Sequence, residues 1–230
     1  MVSERIVGRP QYIEQLKKWQ SQTDLIKIVT GVRRCGKSKL FYLYQMDLIF
    51  DKIADDSQII NINLEDLMQT QKIGLEYDAE NFLTDYNKLR LNPQKMNYVF
   101  VDEIQLLRDW QRVANTLRLQ NNVDLYLTGS NAYMFSSDLA NQLGGRYVEI
   151  KMQPLSFKEY FGAYSQFAQW NIKTKQDMLD LHNPIAVYSH YIKESGFPQT
   201  LNLLYDKQLI SDYLLDTVYL NTIQKDVVKR

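Results

Sequence analysis

Residues Gly31-Val32-Arg33-Arg34-Cys35-Gly36-Lys37-Ser38 satisfy the pattern G-x-x-x-x-G-K-[ST] at every fixed position. The flanking residues supply the setting this pattern requires. Leu25 to Thr30 reads as a buried strand running into the loop. Lys37 to Phe50 reads as the helix leaving it, with Leu40, Phe41, Leu43, Tyr44 and Leu48 on one apolar stripe. Strand, glycine-bearing loop and helix, in that order, point to an α/β fold. Glycines at 31 and 36 let successive backbone N–H groups turn inward as an anion nest, and the helix N-terminus adds its partial positive charge there. Lys37 would then reach the β- and γ-phosphates of a nucleotide, and the Ser38 hydroxyl would take a place on Mg²⁺. The phosphate-contacting set is Gly31, Arg33, Arg34, Cys35, Gly36, Lys37, Ser38 and Lys39. The competing reading is a chance glycine-bearing turn before a helix.

A second signal lies downstream. Tyr98-Val99-Phe100-Val101-Asp102-Glu103 is an apolar strand ending in two acids. Asp102 is placed to hold Mg²⁺, directly or through water, and Glu103 to polarise an attacking water as general base. The alternative is a pair of acids in a surface turn, capping the next helix. A further strand, Val123 to Asn131, ends in a polar tip. In a parallel sheet, ligands sit at the C-terminal strand ends. Ser130 or Asn131 would therefore face the γ-phosphate; an asparagine there is equally a turn device.

The rest of the chain organises around these pieces. Tyr12, Leu16 and Trp19 recur at helical spacing, with Pro10 in the first turn, giving a helix that packs beside the nucleotide or simply docks. Ser57 to Leu64 reads as a strand, Ala79 to Leu91 as a helix with Phe82, Leu83, Tyr86 and Leu89 on one side, and Trp110 to Gln120 as another helix. Ser136 to Leu143 reads as a short helix stopped by Gly144-Gly145, before a fifth strand at Tyr147 to Lys151. Beyond Pro154 strand signals fade and aromatic-rich helical segments take over: 157–161, 176–182, 184–195 and a long helix from Lys207 to Arg230. The boundary is expected near 153, giving a phosphate-loop core at 1–153 and a helical part at 154–230. The last residues read as an interrupted helix, so the chain is expected to be a fragment.

Composition excludes several classes. Hydrophobic residues make up 45% and charged residues 23%, an ordinary globular balance that argues against disorder. Lys+Arg and Asp+Glu are equal at 27 each, so no global field points to nucleic acid or membrane. The single cysteine, Cys35, cannot form an intramolecular disulfide, which favours a reducing cytoplasm; it is a reactive thiol or a loop filler. Met1 to Pro10 has no apolar segment and is no signal peptide, and no run approaches the ~18 apolar residues of a membrane span. His182 and His190 have no ligand set at metal spacing, and no G-x-S-x-G elbow is present. The C-terminal aromatics could stack bases, but their helical spacing favours core packing. Lys225, Lys229 and Arg230 read as solvated charges at a helix end or the edge of a DNA-facing patch.

Taken together, the chain resembles the AAA+ superfamily of P-loop ATPases, and more narrowly the prokaryotic ATP-binding proteins that pair an AAA domain with an uncharacterised C-terminal region. The residues carrying the resemblance are Thr30 to Ser38, Val101 to Gln105, Leu127 to Asn131, Gly145 to Tyr147, Pro154 to Tyr160 and Gly196 to Pro198. It implies a five-stranded parallel sheet of order 5-1-4-3-2, flanked by helices and followed by a small helical lid beginning near Pro154. It also assigns Arg146, which in such domains points into a neighbour's nucleotide site and stabilises phosphoryl-transfer charge. A homo-oligomer is implied through that arginine, against the alternative of an ion pair within its own subunit. Family members usually continue into a winged-helix and nuclease-like region, through which DNA becomes an implied partner. No lid arginine stands out as a second sensor.

Two functions remain in competition. One is an ATPase that hydrolyses MgATP to ADP and phosphate and couples this to movement of the attached C-terminal region. Lys37, Glu103, Ser130, Asn131 and Arg146 would be its catalytic set, with Ser38 and Asp102 on the metal. The other is a nucleotide-gated interaction switch with little or no hydrolysis. A small-molecule kinase would need an arginine-rich lid, of which Arg33 and Arg34 supply only part.

Overall fold

Ile26–Thr30 forms β1, and all five residues are buried. An unbroken buried strand needs neighbours on both edges and cover on both faces. In the computed structural model, which describes residues 5–66, 78–89, 91–130, 143–169 and 175–220, β1 has both. It joins β2 (Ile59–Asn63), β3 (Asn97–Asp102), β4 (Val123–Gly129) and β5 (Tyr147–Lys151) in one sheet of order β2-β3-β4-β1-β5. Every neighbouring pair is parallel. This is the expected order 5-1-4-3-2, and helices flank the sheet as expected: the fold is that of a P-loop NTPase. β3 and β4 are buried throughout, whereas the edge strands β2 and β5 are mostly half-buried.

The chain groups into two compact units. One takes the described residues of Pro10–Gly31 and Lys37–Met152; the other takes those of Met1–Arg9, Val32–Gly36 and Gln153–Arg230.

In the sheet unit, alternation along the strands sorts side chains to two faces. One face is aliphatic: Ile26 and Ile28, Val99 and Val101, Leu125 and Leu127 pack with Phe82 of α3 (Ala79–Tyr86) and Trp110, Val113 and Leu117 of α4 (Trp110–Arg118). The other is aromatic: Phe100 and Tyr126 stack with ring centroids 4.7 Å apart, and Phe41 and Tyr44 of α2 (Lys37–Phe50) meet them edge-on or tilted. α1 (Pro10–Lys18) buries Tyr12 and Leu16 and packs on α2, where Lys17 pairs with Asp47 and Asp51.

One buried ion pair interrupts this apolar interior. Lys27 on β1 pairs with Asp124 on β4, and both side chains are fully buried. Lys27 Nζ also donates to the Gln22 carbonyl (2.6 Å), while Asp124 accepts from Tyr126 Oη (2.7 Å) and the Ser21 amide (2.8 Å). Burial lowers the Lys27 pKa, with Asp124 pulling the other way. Periodicity reads both positions only as strand, so this network was not legible in the sequence.

Several boundaries differ from the expected ones. α3 stops at Tyr86 rather than Leu91, leaving Leu89 exposed. The residues after it are drawn to the start of β3, where the buried Asn97 side chain accepts from the Asn92 amide and donates to the Asn92 carbonyl, both at 2.8 Å. α4 stops at Arg118 rather than Gln120. Residues 56–58 form a 3₁₀ turn capped by Asp55 before β2, shortening the expected strand. The expected helix at 136–143 lies outside the described residues except for Leu143.

In the other unit, Ser156 and Glu159 form a reciprocal capping box that starts α5 (Phe157–Ala168). α6 (Lys175–Asp180), α7 (Pro184–Glu194) and α8 (Pro198–Asn202) follow; α9 (Lys207–Asp212) passes into a π-helical stretch at Tyr213–Tyr219. The long helix expected from Lys207 therefore changes its winding, and 221–230 lie outside the described residues. Tyr160, Tyr164, Phe167, Val187, Leu201 and Leu204 build the core, so these aromatics are packing residues. Gly196 closes against the chain before α5: Leu155 N donates to its carbonyl at 2.7 Å, and a Cβ there would lie 2.5 Å from the Leu155 carbonyl oxygen. No helix among the described residues is long and apolar enough to cross a membrane.

Candidate nucleotide site

The chemistry-bearing residues of the sheet unit converge at the carboxyl ends of β1, β3 and β4. Lys37 opens α2 immediately after the loop and is only 4% exposed. Its Nζ donates to the Gly31 carbonyl at 3.1 Å and stands 3.7 Å from Glu103 Oε1. A buried ammonium at the mouth of a glycine-bearing loop is a point charge of the kind that binds phosphate.

Ser38 Oγ donates to Asp102 Oδ2 at 2.5 Å, and the other Asp102 oxygen accepts from Thr128 Oγ1. Burial raises the Asp102 carboxyl pKa, opposed by these two hydroxyl bonds. A cation beside it would offset that cost. Ser38 and Asp102 are hard oxygen donors, and Mg²⁺ at phosphate sites uses one or two protein ligands and leaves the rest to phosphate and water. The donor set therefore fits magnesium. Among the described residues no cluster of three or more His, Cys, Asp or Glu forms a closed metal cage, and His190 pairs with Glu194 at 2.8 Å.

Glu103 leaves β3 in the left-handed region (φ 56°) and makes no capping bond to the 3₁₀ turn at Ile104–Leu106. The helix-cap alternative thus does not describe its carboxylate. Its amide donates to Thr128 Oγ1 at 2.9 Å, fixing the turn. Oε2 accepts from Ser130 Oγ at 2.9 Å and from Gln105 Nε2, which also reaches Ser130 Oγ at 3.1 Å. Oε1 is left on the Lys37 side.

The structure thus brings Lys37, Ser38, Asp102, Glu103 and Ser130 together. Asn131 lies outside the described residues. Lys39 is exposed on the first turn of α2. Arg146 is exposed, its backbone bonded to Leu143 and Ile26, and no ion pair holds its side chain among the described residues. Of the loop, Gly31 (φ 154°) and Gly36 (φ 105°) occupy positive-φ backbone suited to glycine. Arg34 adopts φ 68° and is exposed, Arg33 is half-buried and Cys35 is buried, with its amide donating to the Val32 carbonyl at 3.3 Å. A left-handed non-glycine residue in such a loop stores strain.

Two residues of the cluster were missed. Thr128 follows Leu127, which pairs with Val101, so Thr128 comes level with Asp102; counting register from the two strand ends would have found it. Gln105 had no signal beyond being polar in an apolar turn.

A family profile described as an AAA domain matches residues 23–161. An uncharacterised protein of Haemophilus influenzae is 35% identical over 229 residues, covering 96% of this chain and 52% of its own length. An uncharacterised protein of Methanocaldococcus jannaschii is 28% identical over 208 residues, covering 89% of this chain and 43% of its own. The chain spans about half the length of these curated relatives. Among solved structures, AMPPCP-bound DnaA from Aquifex aeolicus superposes with a TM-score of 0.55 at 12% identity, over 98% of this chain and 70% of that one, a likeness of fold. With its sheet order, its strand-end site and a profile match over more than half its length, the chain belongs to the AAA domain family.

Proposed function

We propose that this chain binds MgATP and hydrolyses it to ADP and phosphate. The observation carrying this reading is the joining of Ser38 to Asp102, with Lys37 and Glu103 beside them, at the ends of β1 and β3. Gly31 and Gly36 supply the loop turns, Arg33 to Ser38 and Lys39 flank the phosphates, and Lys37 meets the β- and γ-phosphate charge. Ser38 and Asp102 would hold Mg²⁺, which would supply neutralisation of the phosphate charge. Glu103, oriented through Oε2, uses Oε1 to accept from the attacking water. Ser130, with Asn131 beside it in sequence, orients Glu103 and reports on the γ-phosphate. Arg146 serves a neighbouring copy's site, so activity requires assembly. The helical residues beyond 153 act as the lid, and hydrolysis drives movement of whatever follows.

The test is steady-state ATP hydrolysis against protein concentration for wild type, Glu103→Gln and Arg146→Ala, with ATP binding measured for Lys37→Ala. Activity per subunit should rise with concentration, fall about 10²–10⁴-fold in Glu103→Gln and about 10³–10⁵-fold in Arg146→Ala. The Lys37 ammonium, 3.7 Å from Glu103 Oε1, favours a second reading, in which that oxygen stays with Lys37 rather than with a water and the chain is a switch that binds ATP and turns over slowly. Tight, Lys37-dependent binding with no turnover at any concentration would select it.

A further inference from the structure

Arg9 is 3% exposed, and no step above uses it. A guanidinium is tolerated at such burial only when its donors are paired. Its Nε meets Glu159 Oε1 at 2.5 Å, Nη2 donates to the Gln153 carbonyl at 2.9 Å, and Nη1 donates to the Cys35 carbonyl at 3.4 Å. All these groups belong to the unit containing 32–36 and the residues from 153 onward.

Glu159 is itself shared. Its Oε2 accepts from Ser156 N (2.8 Å) and Ser156 Oγ (2.7 Å), closing the capping box of α5. One carboxylate therefore caps a helix with one oxygen and anchors a buried arginine with the other. The arginine in turn holds a carbonyl of the glycine-bearing loop. In a loop that offers N–H groups to an anion, carbonyls turned away from it need donors of their own. Arg9 provides one for Cys35.

We propose that Arg9 is a positioning residue that sets the backbone of 32–36 and couples its state, through Glu159, to the first turn of α5. The coupling rests on the nucleotide reading above; the positioning of 32–36 does not. Lysine cannot replace arginine here, because a single ammonium lacks the planar fork that reaches a carboxylate and two carbonyls together.

Hydrogen–deuterium exchange on wild type, Arg9→Lys and Glu159→Gln, with and without MgATP, tests both parts, alongside affinity for a fluorescent ATP analogue. Without nucleotide, Arg9→Lys should speed exchange at 32–36 about tenfold, the loss of one charge-assisted bond, while β1 and β3 keep wild-type protection. In wild type, MgATP should slow exchange at 156–160. That response should vanish in Arg9→Lys and shrink in Glu159→Gln, with analogue affinity about tenfold weaker in Arg9→Lys. Unchanged loop exchange and affinity in Arg9→Lys, with only a lower melting temperature, would make Arg9 a packing residue and overturn the proposal. Wild type that binds nucleotide with no change at 156–160 would sink the coupling alone. Wild type that binds no nucleotide would sink the ATP reading and the coupling, leaving the nucleotide-free exchange to decide the positioning. Should Arg9→Lys fail to fold, Glu159→Gln with wild-type exchange at both segments overturns the proposal.

Discussion

The Ser38 hydroxyl and the Asp102 carboxylate stand 2.5 Å apart, tying the first turn of α2 to the last residue of β3. The carboxylate is buried, and its pKa is raised by that burial, so in the absence of a cation it sits in surroundings that disfavour its charge.

Asp102→Asn removes that charge at nearly constant volume. The nucleotide-free variant should melt no earlier than wild type and be more stable by up to about 1 kcal/mol, because burial of the charge outweighs the two hydroxyl bonds that it accepts. The Mg²⁺-dependent stabilisation by ATP should fall to near zero, since ligand stabilisation follows affinity. Thermal melts with and without MgATP check both. An early-melting nucleotide-free variant would mean the carboxylate is there for structure.

Gln105→Ala removes a donor to both Glu103 and Ser130 and leaves the Lys37 and Ser38 side chains in place. Turnover should drop about tenfold, the worth of one charge-assisted hydrogen bond, with ATP affinity unchanged. Single-turnover kinetics beside equilibrium binding separate the two. A matching loss of affinity would place Gln105 on the nucleotide instead.

The glycines of the helical unit should respond in opposite directions. Gly196→Ala drives a Cβ to within 2.5 Å of the Leu155 carbonyl oxygen, which is fixed backbone. It should cost about 1–3 kcal/mol in urea unfolding. Gly162 is exposed within α5 and a Cβ there meets nothing within 4 Å, so Gly162→Ala should gain about 0.5–1 kcal/mol.

Alkaline pH should unfold the protein in one step. Burial raises the phenol pKa of Tyr44, Tyr126, Tyr160 and Tyr164, and pushes Tyr86 up to about 12. A folded pKa above the unfolded value near 10 means the native state holds its protons more tightly. The stabilisation is complete below pH 10 and is lost as pH rises through the folded values. Absorbance at 295 nm should show these buried phenols ionising only together with loss of far-UV circular dichroism. Buried phenols ionising near 10 with the fold intact would contradict the packing.

What the sequence made legible was governed by local rules. The strand, loop and helix around Lys37 were readable because the loop pattern, the apolar run and the helical stripe agree within a short window, and the helix begins and ends where expected. Glu103 and Ser130 were readable as polar residues closing apolar strands. Thr128, Gln105 and Arg9 were not, because each acts on a partner distant in the chain, and only register or tertiary packing brings them together. The ends of α3 and β2 failed for a related reason: asparagine and aspartate side chains bonded the backbone and overrode the apolar pattern.

The buried pair of Lys27 and Asp124 has a consequence at the opposite ends of its strands. β1 and β4 carry this pair near their beginnings and the loop entry and Thr128 at their ends. Strand side chains alternate, so sliding β4 by one residue would turn Thr128 away from Asp102 and point Asp124 out of its pocket. The slipped sheet would bury a lone ammonium and a lone carboxylate in hydrocarbon, a far larger penalty than any apolar mismatch. Replacing both by well-packed apolar residues could leave the domain equally stable, yet every alignment of β1 with β4 would then be closer in energy. The charges act as a ratchet tooth at the root of the sheet, and what they hold in step is the loop entry at Thr30 against Gly129 at its tip.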